Sequence, residues 1–492
     1  MRPHPSLVLS LVTATVVVLV VGLVQWQKAD GPENDAPRAH LPEHAAHVDH
    51  ATFFDDGSER RFASGPDVTR ACLECHADAG QQVLHSTHWT WAGDVVESDG
   101  TEVAIGKKNL LNNFCISIEG NWPRCTGCHA GYGWDGPDFD FSDVENVDCL
   151  VCHEQSGQYV KETGKAGHPA ADVDLLEVAR SVGRPTRANC GRCHFNGGGG
   201  NAVKHGDLDG TMLFPTPTID VHMGRHDLQC VDCHRTTDHV IPGRSMSVSV
   251  SNTQRVTCND CHSATPHVDE RVNAHTSAVA CQTCHIPRMA PRAATKMHWD
   301  WSAAGEDRPD ADPHDYSKLK GSFVYERDVE PEYAWYDGRS ERYLKGDVID
   351  PDTVTALTRP LGDIDDSDAR IWPFKVHRGR QPYDTENSWF VTPQTYGGEG
   401  YWTHFDWDRA IRNGTRASGL DYSGSFGFAP TAMYWPLSHM VKSADEALQC
   451  ADCHGEGGRM NWEALGYPGD PATRGGRDRT ALNSSSDAET GR

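Results

Sequence analysis

Basic residues are in short supply. The 492-residue chain sets 45 Lys and Arg against 70 Asp and Glu, a formal net charge of −25. An exterior of that sign repels polyanions, which excludes nucleic acid as a partner and suits docking by a cationic protein. Apolar residues are scarce too: 37% are hydrophobic, while Gly and Pro number 47 and 28. A chain this long ordinarily carries roughly two to four domains with their own cores, and this composition is lean for that. Methionine is rare, with nine copies. No paired nucleophile and base appears between residues 291 and 440, and no GK[ST] follows the glycines of residues 197–200, which sets aside a phosphate loop.

Cysteine, by contrast, is plentiful and ordered. Of 17 Cys, all but Cys115 fall into eight CxxCH units. These are CLECH (Cys72, Cys75, His76), CTGCH (Cys125, Cys128, His129), CLVCH (Cys149, Cys152, His153) and CGRCH (Cys190, Cys193, His194), then CVDCH (Cys230, Cys233, His234), CNDCH (Cys258, Cys261, His262), CQTCH (Cys281, Cys284, His285) and CADCH (Cys450, Cys453, His454). Two thiols at this spacing form thioethers to the vinyl groups of a haem, and the following His reaches the iron. A zinc knuckle or a redox CxxC does not require His as the next residue, and eight repeats rule out coincidence. The cofactors expected are eight covalently bound haem c. Porphyrins then supply the apolar core that the composition lacks. The fold class expected is mainly α and irregular, a multihaem c-type cytochrome wrapped around its haems, with little β-sheet.

The chain divides by composition. Residues 1–25 contain SLVLSLVTATVVVLVVGLV after Arg2, which reads as a signal anchor or a cleaved signal peptide. Either places the haem region outside the cytoplasm, in the periplasm, with the inner membrane as a partner through the N-terminal segment. Residues 26–70 form a Pro-, His- and Asp-rich tether in which His40, His44, His47 and His50 share a helical face; His50 is within reach of a nearby haem. Residues 71–290 hold seven motifs, residues 291–440 a Trp-rich segment, and residues 441–470 the eighth motif. Residues 471–492 lack apolar periodicity and read as a disordered tail. Eight of the 14 Trp, from Trp299 to Trp435, lie in the fourth segment, where they are expected to pack on haems or in an ordinary core.

Each six-coordinate haem needs a second axial ligand. Nineteen of the 27 His lie outside the motifs. The candidates carried forward are His88, His168, His222, His239, His267, His275 and His439; spacing alone does not choose His88 over His85 or His222 over His226. The few Met argue for low-potential bis-His centres.

The stretches NNFCISIEGNWPRCTGCHAGYGW, NVDCLVCH, CGRCHFNGGGGNAVKHGDLDG, ACQTCHIP and GRMNWEALGYPGDP together resemble the octahaem tetrathionate reductase family, from about Ala71 to Asp470. The resemblance implies an oxidoreductase whose second haem, on Cys125 and Cys128, is the catalytic one, with Lys204 as its axial lysine, Cys115 as an active-site thiol and Asn112 as a further pocket residue. Glycines 197–200 independently allow close backbone approach before Lys204. A lysine ligand must be neutral, which a dry pocket beside a cationic iron favours. Asn201 stands where the family's pattern leads one to expect a carboxylate, an amide that can hold the lysine but not relay protons. Lys107, Lys108 and Arg124 flank the second motif as candidate anion-binding charges. The expected electron donor is a quinol dehydrogenase or a small redox protein, and the expected substrate a small sulfur or nitrogen oxyanion: tetrathionate, or nitrite, with hydroxylamine also admitted. The absence of CxxCK speaks against nitrite reductases that carry their lysine inside the motif. A purely conductive cytochrome and a hydroxylamine-oxidising enzyme remain as other readings, although no motif assigns the tyrosine cross-link of the latter.

Overall fold

The computed structural model describes residues 49–54, 62–98, 100–243 and 245–477. The N-terminal apolar run and most of the tether, with His40, His44 and His47, lie outside them, as does the tail after residue 477. Among the described residues no helix is long and apolar enough to cross a membrane.

From His50 to His285 the chain forms short helices and turns, and the longest helix described there, Gly65–Leu73, has nine residues. The motifs explain this. CxxC needs a single helical turn to put thiols i and i+3 on one face, and Leu150–His153, Cys230–Cys233, Cys281–His285 and Cys450–Cys453 each supply about that and stop. Where the residue before the second Cys is Asp, it also caps its own turn. Asp232 and Asp452 each accept the N–H of the preceding Gln, Gln229 and Gln449, at 2.7 Å, and Asp260 accepts that of Thr257 at 2.9 Å.

The expectation of little sheet is corrected. Besides the hairpin of β1 (Val95–Ser98) and β2 (Thr101–Ala104), residues 295–436 build a nine-stranded mixed sheet. Its strands are β3 (Thr295–Asp300), β4 (Tyr316–Ser317), β5 (Gly321–Glu326), β6 (Glu332–Tyr336), β7 (Ser340–Arg342), β8 (Thr355–Pro360), β9 (Arg370–Asp384), β10 (Trp389–Phe390) and β11 (Phe426–Pro436). The order is β4-β5-β3-β9-β11-β8-β7, with β6 and β10 also paired to β9. β3 runs parallel to β9 and β8 parallel to β11; the other pairings are antiparallel.

The long central strand β9 was illegible because Lys375, His377, Arg378 and Arg380 interrupt its apolar pattern, and Pro373 and Pro382 are poor strand residues. Pairing with β11 along its length, from Phe374↔Pro436 to Asp384↔Phe426, overrides that local preference. One face of β9 puts Phe374 and Val376 against Met246, Tyr336 and Ala432. The alternate positions Lys375, His377 and Gln381 are buried and polar.

The tryptophans chiefly form a protein core. Trp299 and Trp301 stack at 4.8 Å, Tyr401 and Trp407 at 4.0 Å, and these pack with Leu110, Leu111, Phe114 and Ile116 from the stretch around Cys115. The segment carrying the spare thiol is thereby bound to the sheet. Within the segment expected to be a tail, Pro471–Arg474 is a helical turn capped by Asp470, and Arg477 donates to the carbonyls of Ile364 and Ala369.

Candidate active site

The histidines offer a direct test of whether the chain fits haem. Two iron–nitrogen bonds of about 2 Å, plus ~1.1 Å from each nitrogen to its ring centre, would set two axial imidazoles about 6.2 Å apart. Seven motif histidines each face another histidine at that separation. The pairs are His50–His76 and His88–His194 at 6.2 Å, His153–His239 at 6.4 Å, His222–His262 at 6.1 Å, and His234–His439, His267–His285 and His275–His454 at 6.3 Å. Ring orientation agrees. Nδ1 meets an acceptor in His153 (Gly183 O), His234 (Pro242 O), His285 (Lys442 O) and His454 (Asp470 Oδ1), and in the facing His239, His267, His275 and His439. Nε2 is left to point across the gap, as an axial ligand with a fixed tautomer requires.

One expected ligand falls outside this pattern. His168 is exposed and stacks on Tyr132 at 5.9 Å, facing no motif histidine. The partner of His76 is instead His50, brought in by the short helix His50–Phe53.

His129 is the motif histidine without a facing histidine, and its ring is reversed. Its Nε2 donates to the Trp89 carbonyl oxygen at 2.6 Å, while Nδ1 is buried without a partner. Trp89, Trp91 and Trp134 surround the ring at 4.9 to 5.4 Å. Burial lowers its pKa to about 3, so the ring is neutral. The backbone after it is held by Lys161, whose Nζ donates to His129 O at 2.6 Å and pairs with the buried Asp148 at 2.9 Å. The motif makes His129 an expected axial ligand, and in the structure the nitrogen that would serve, Nε2, is bonded to the Trp89 carbonyl inside an aromatic box.

Lys204 takes a place beside the same motif. Its side chain is half-buried close to Cys128, with Nζ 4.7 Å from the centre of the Trp435 ring. Burial, reinforced by repulsion from Lys107, lowers its pKa to about 7, so the neutral amine that can bind iron is accessible near neutral pH. The glycines before it are required by space. A Cβ on Gly197 would lie 3.0 Å from Lys204 Cδ, and one on Gly198 3.1 Å from the Phe114 ring; Gly198 and Gly199 also have φ of 78° and 102°.

The Cys115 segment is a tight loop. Asn112 N and Nδ2 both donate to Ile116 O, at 2.9 and 3.0 Å, and Asn112 Oδ1 accepts Phe114 N at 2.9 Å. The Asn112 side chain thus shapes the loop through its Oδ1 and one Nδ2 hydrogen, and the second Nδ2 hydrogen takes no part in these bonds. Ile116, β-branched and fully buried, is held at φ 67°, and Ala202, two residues before Lys204, at φ 58°. Left-handed backbone at both positions is strain of the kind that clusters at functional sites.

Both segments are fastened to β9. Lys375 Nζ donates to Val203 O at 2.9 Å, Lys204 O at 3.1 Å and Thr295 Oγ1 at 2.6 Å. Gln381 Nε2 donates to Asn112 O and to Asn113 Oδ1, and Asn113 Nδ2 donates to His377 O. Between them His377 packs under Phe114 at 4.9 Å with both ring nitrogens buried and unpartnered; burial pushes its pKa well down. Lys375, His377 and Gln381 escaped the sequence reading because strand alternation, the one signal that groups them, is masked in β9.

Burial raises the Cys115 pKa, and Lys320, Lys296 and Arg124 oppose the rise. Of the expected flanking charges, Arg124 therefore acts on the thiol. Lys107 lies 3.7 Å over Trp91 and acts on Lys204 and His129, and Lys108 on Glu119. Asn201 is exposed and accepts Gly210 N at 2.7 Å, a purely structural bond. The motif thiols also connect across motifs. Cys72 meets Cys149, Cys128 meets Cys193, Cys190 meets Cys230 and Cys258 meets Cys281 within hydrogen-bonding reach. Cys152 with Cys190, Cys233 with Cys261, and Cys284 with Cys450 are also near neighbours. The second motif is thus a branch off the fourth, in an otherwise continuous series.

Residues 296–457 match the family described as Cytochrome c bacterial, and residues 71–154 the family described as Cytochrome c554 and c-prime. An uncharacterised protein of Archaeoglobus fulgidus is 23% identical over 241 residues, 39% of this chain and 80% of that one. The crystal structure of octahaem cytochrome c from Shewanella oneidensis is 46% identical and superposes with a TM-score of 0.81 over 86% of this chain and 98% of its own.

Proposed function

The chain belongs to the octahaem c-type cytochromes, redox proteins with covalently bound haem c, and from that premise we propose that it is a terminal reductase rather than a wire. The observation that carries the reading is the contrast at the second motif: His129 spends Nε2 on a carbonyl, and the amine of Lys204 stands nearby. Eight haems would be held by the sixteen motif cysteines, seven by paired histidines and the eighth by Lys204. Bound haem would supply one-electron storage throughout and, where Lys204 would hold it, an iron able to take a substrate.

The chain's own residues do the rest. The thiol contacts put the attachment sites of motifs one, three, four, five, six, seven and eight in sequence with the second branching from the fourth, so haems held there would be near enough to exchange electrons in that order. Lys375 and Gln381 hold the Lys204 and Cys115 segments on one rigid strand. Cys115 sits among cations suited to an anionic substrate.

Tetrathionate is the substrate this chemistry favours. Its central S–S bond takes two electrons and leaves as two thiosulfates, with no proton consumed, so Asn201 in place of an acid is no obstacle. Reduction of nitrite to ammonium consumes protons with its six electrons and lacks that carboxylate here; nitrite and hydroxylamine are secondary substrates. The same reading assigns the protein to the periplasm, exported or anchored through its N-terminal run, and takes a quinol dehydrogenase or a small cytochrome as its donor.

The test is spectroscopic and kinetic. The holoprotein should show one high-spin haem among seven low-spin ones, and viologen-driven tetrathionate reduction that Lys204→Ala abolishes. Eight low-spin bis-imidazole haems would refute the reading.

A further inference from the structure

The sheet contributes two cations that act on the Cys115 thiol. Lys296, on β3, is 3% exposed, and its Nζ lies 3.6 Å from the ring centres of both Trp299 and Phe323 and 5.1 Å from that of Tyr325. Lys320, at the entry to β5, has its Nζ 6.0 Å from the Trp299 ring and 5.8 Å from that of Trp402. One tryptophan positions both: the face of Trp299 underlies Lys296, and its indole N–H donates to Lys320 O at 2.6 Å. The pair is aimed at the thiol. A Cβ built on Gly199 would sit 3.9 Å from Cys115 Sγ and 3.9 Å from Lys320 Nζ, so thiol and ammonium flank one point over the glycine turn. Trp402 adds a buried indole N–H without an acceptor among the described residues.

Two ammonium groups resting on aromatic faces are only partly compensated for leaving water. Each also raises the potential at the other, and burial together with Lys320 lowers the Lys296 pKa to about 7. An entering anion relieves both costs, and a dianion relieves twice as much per lysine as a monoanion. Outside the pocket a net charge of −25 disfavours any anion, so recognition has to be local.

We propose that Lys296 and Lys320 form a two-point clamp that binds a sulfur-oxyanion dianion over Cys115, selecting doubly charged substrates above nitrite and hydroxylamine. The proposal rests on the reductase reading and names its substrate class. Discrimination then comes from the sheet, while electron supply comes from the motifs.

The test uses haem-loaded Lys296→Met, Lys320→Met and Lys296→Arg, each checked for parental haem content. For tetrathionate, KM should rise by about tenfold for each Met variant, with kcat within about twofold, and fall back toward the parent in Lys296→Arg. The KM for nitrite should rise by only about threefold, and that for neutral hydroxylamine should not move. Calorimetric titration of the oxidised holoprotein with thiosulfate should show binding that both Met variants weaken. A tetrathionate KM indifferent to both lysines overturns the clamp and leaves the reductase standing, as does an equal rise for all three substrates. A parent protein that turns over none of them, yet binds thiosulfate through these lysines, overturns the reductase and leaves the clamp.

Discussion

Lys375→Met isolates the link between the sheet and the lysine ligand. The substitution nearly preserves volume in a fully buried site but removes the donors to Val203 O and Lys204 O. Thr295 Oγ1 is not stranded, since it still donates to Ala202 O at 2.7 Å or His205 O at 2.9 Å. Two carbonyls are left without that partner, at about 1–3 kcal/mol each, offset in part because a buried ammonium no longer has to be desolvated. A net cost of about 2–4 kcal/mol therefore falls on residues 202–205. If about 2 kcal/mol of it opposes the bound position of Lys204, the bound fraction relative to the free falls about 30-fold. The variant should fold and load haem, yet lose the signature of the amine-ligated haem in electron paramagnetic resonance and lose turnover with it. Lys345→Met, which breaks the pair with Glu119 at 2.8 Å, is the matched control and should leave that spectrum alone. A Lys375→Met protein with parental spectrum and parental kcat would refute the claim that β9 positions the ligand.

Other consequences are as direct. Gly198→Ala puts a Cβ against Phe114 at φ 78° and should lower Tm and turnover together, at a cost of about 1–2 kcal/mol or more in denaturant unfolding. His50→Ala should convert one low-spin haem to high spin and His168→Ala none, a contrast that magnetic circular dichroism reads; the opposite result would reinstate His168. Asp470 is held down to about pKa 2 by the Gly455 N–H and by His454. A carboxyl depressed in the folded state adds stability that is present in full above its unfolded pKa and lost as pH falls through the folded value. Unfolding measured between pH 5 and about 2 should thus lose stability across that window, and Asp470→Asn should flatten the acid limb.

Local chemistry was legible because it is written locally. A thioether pair needs only residues i and i+3, the proximal ligand is the next residue, and three motifs cap themselves through Asp232, Asp260 and Asp452, so eight attachment sites follow from eight short strings. Cys115 stood out by having no partner in that count, and Lys204 through the family resemblance, supported by four preceding glycines of which Gly197 and Gly198 allow a close approach and Gly198 and Gly199 a left-handed backbone. The pairing of distal histidines was not legible, since His439 reaches His234 and His50 reaches His76 through folding alone.

Sequence by itself determined the cofactor chemistry and the outward-repelling charge, because covalent geometry and net charge do not depend on how the chain folds, and the two candidate residues of the reacting centre came from the family its motifs resemble. Tertiary structure alone decided that His129 turns from its motif toward Trp89 and that a charged strand becomes the spine of a sheet. It alone brought Lys375, His377, Lys296 and Lys320 around one thiol and one amine. Those outcomes are sums of many weak long-range contacts, in which burial against distant residues outweighs what any short segment prefers.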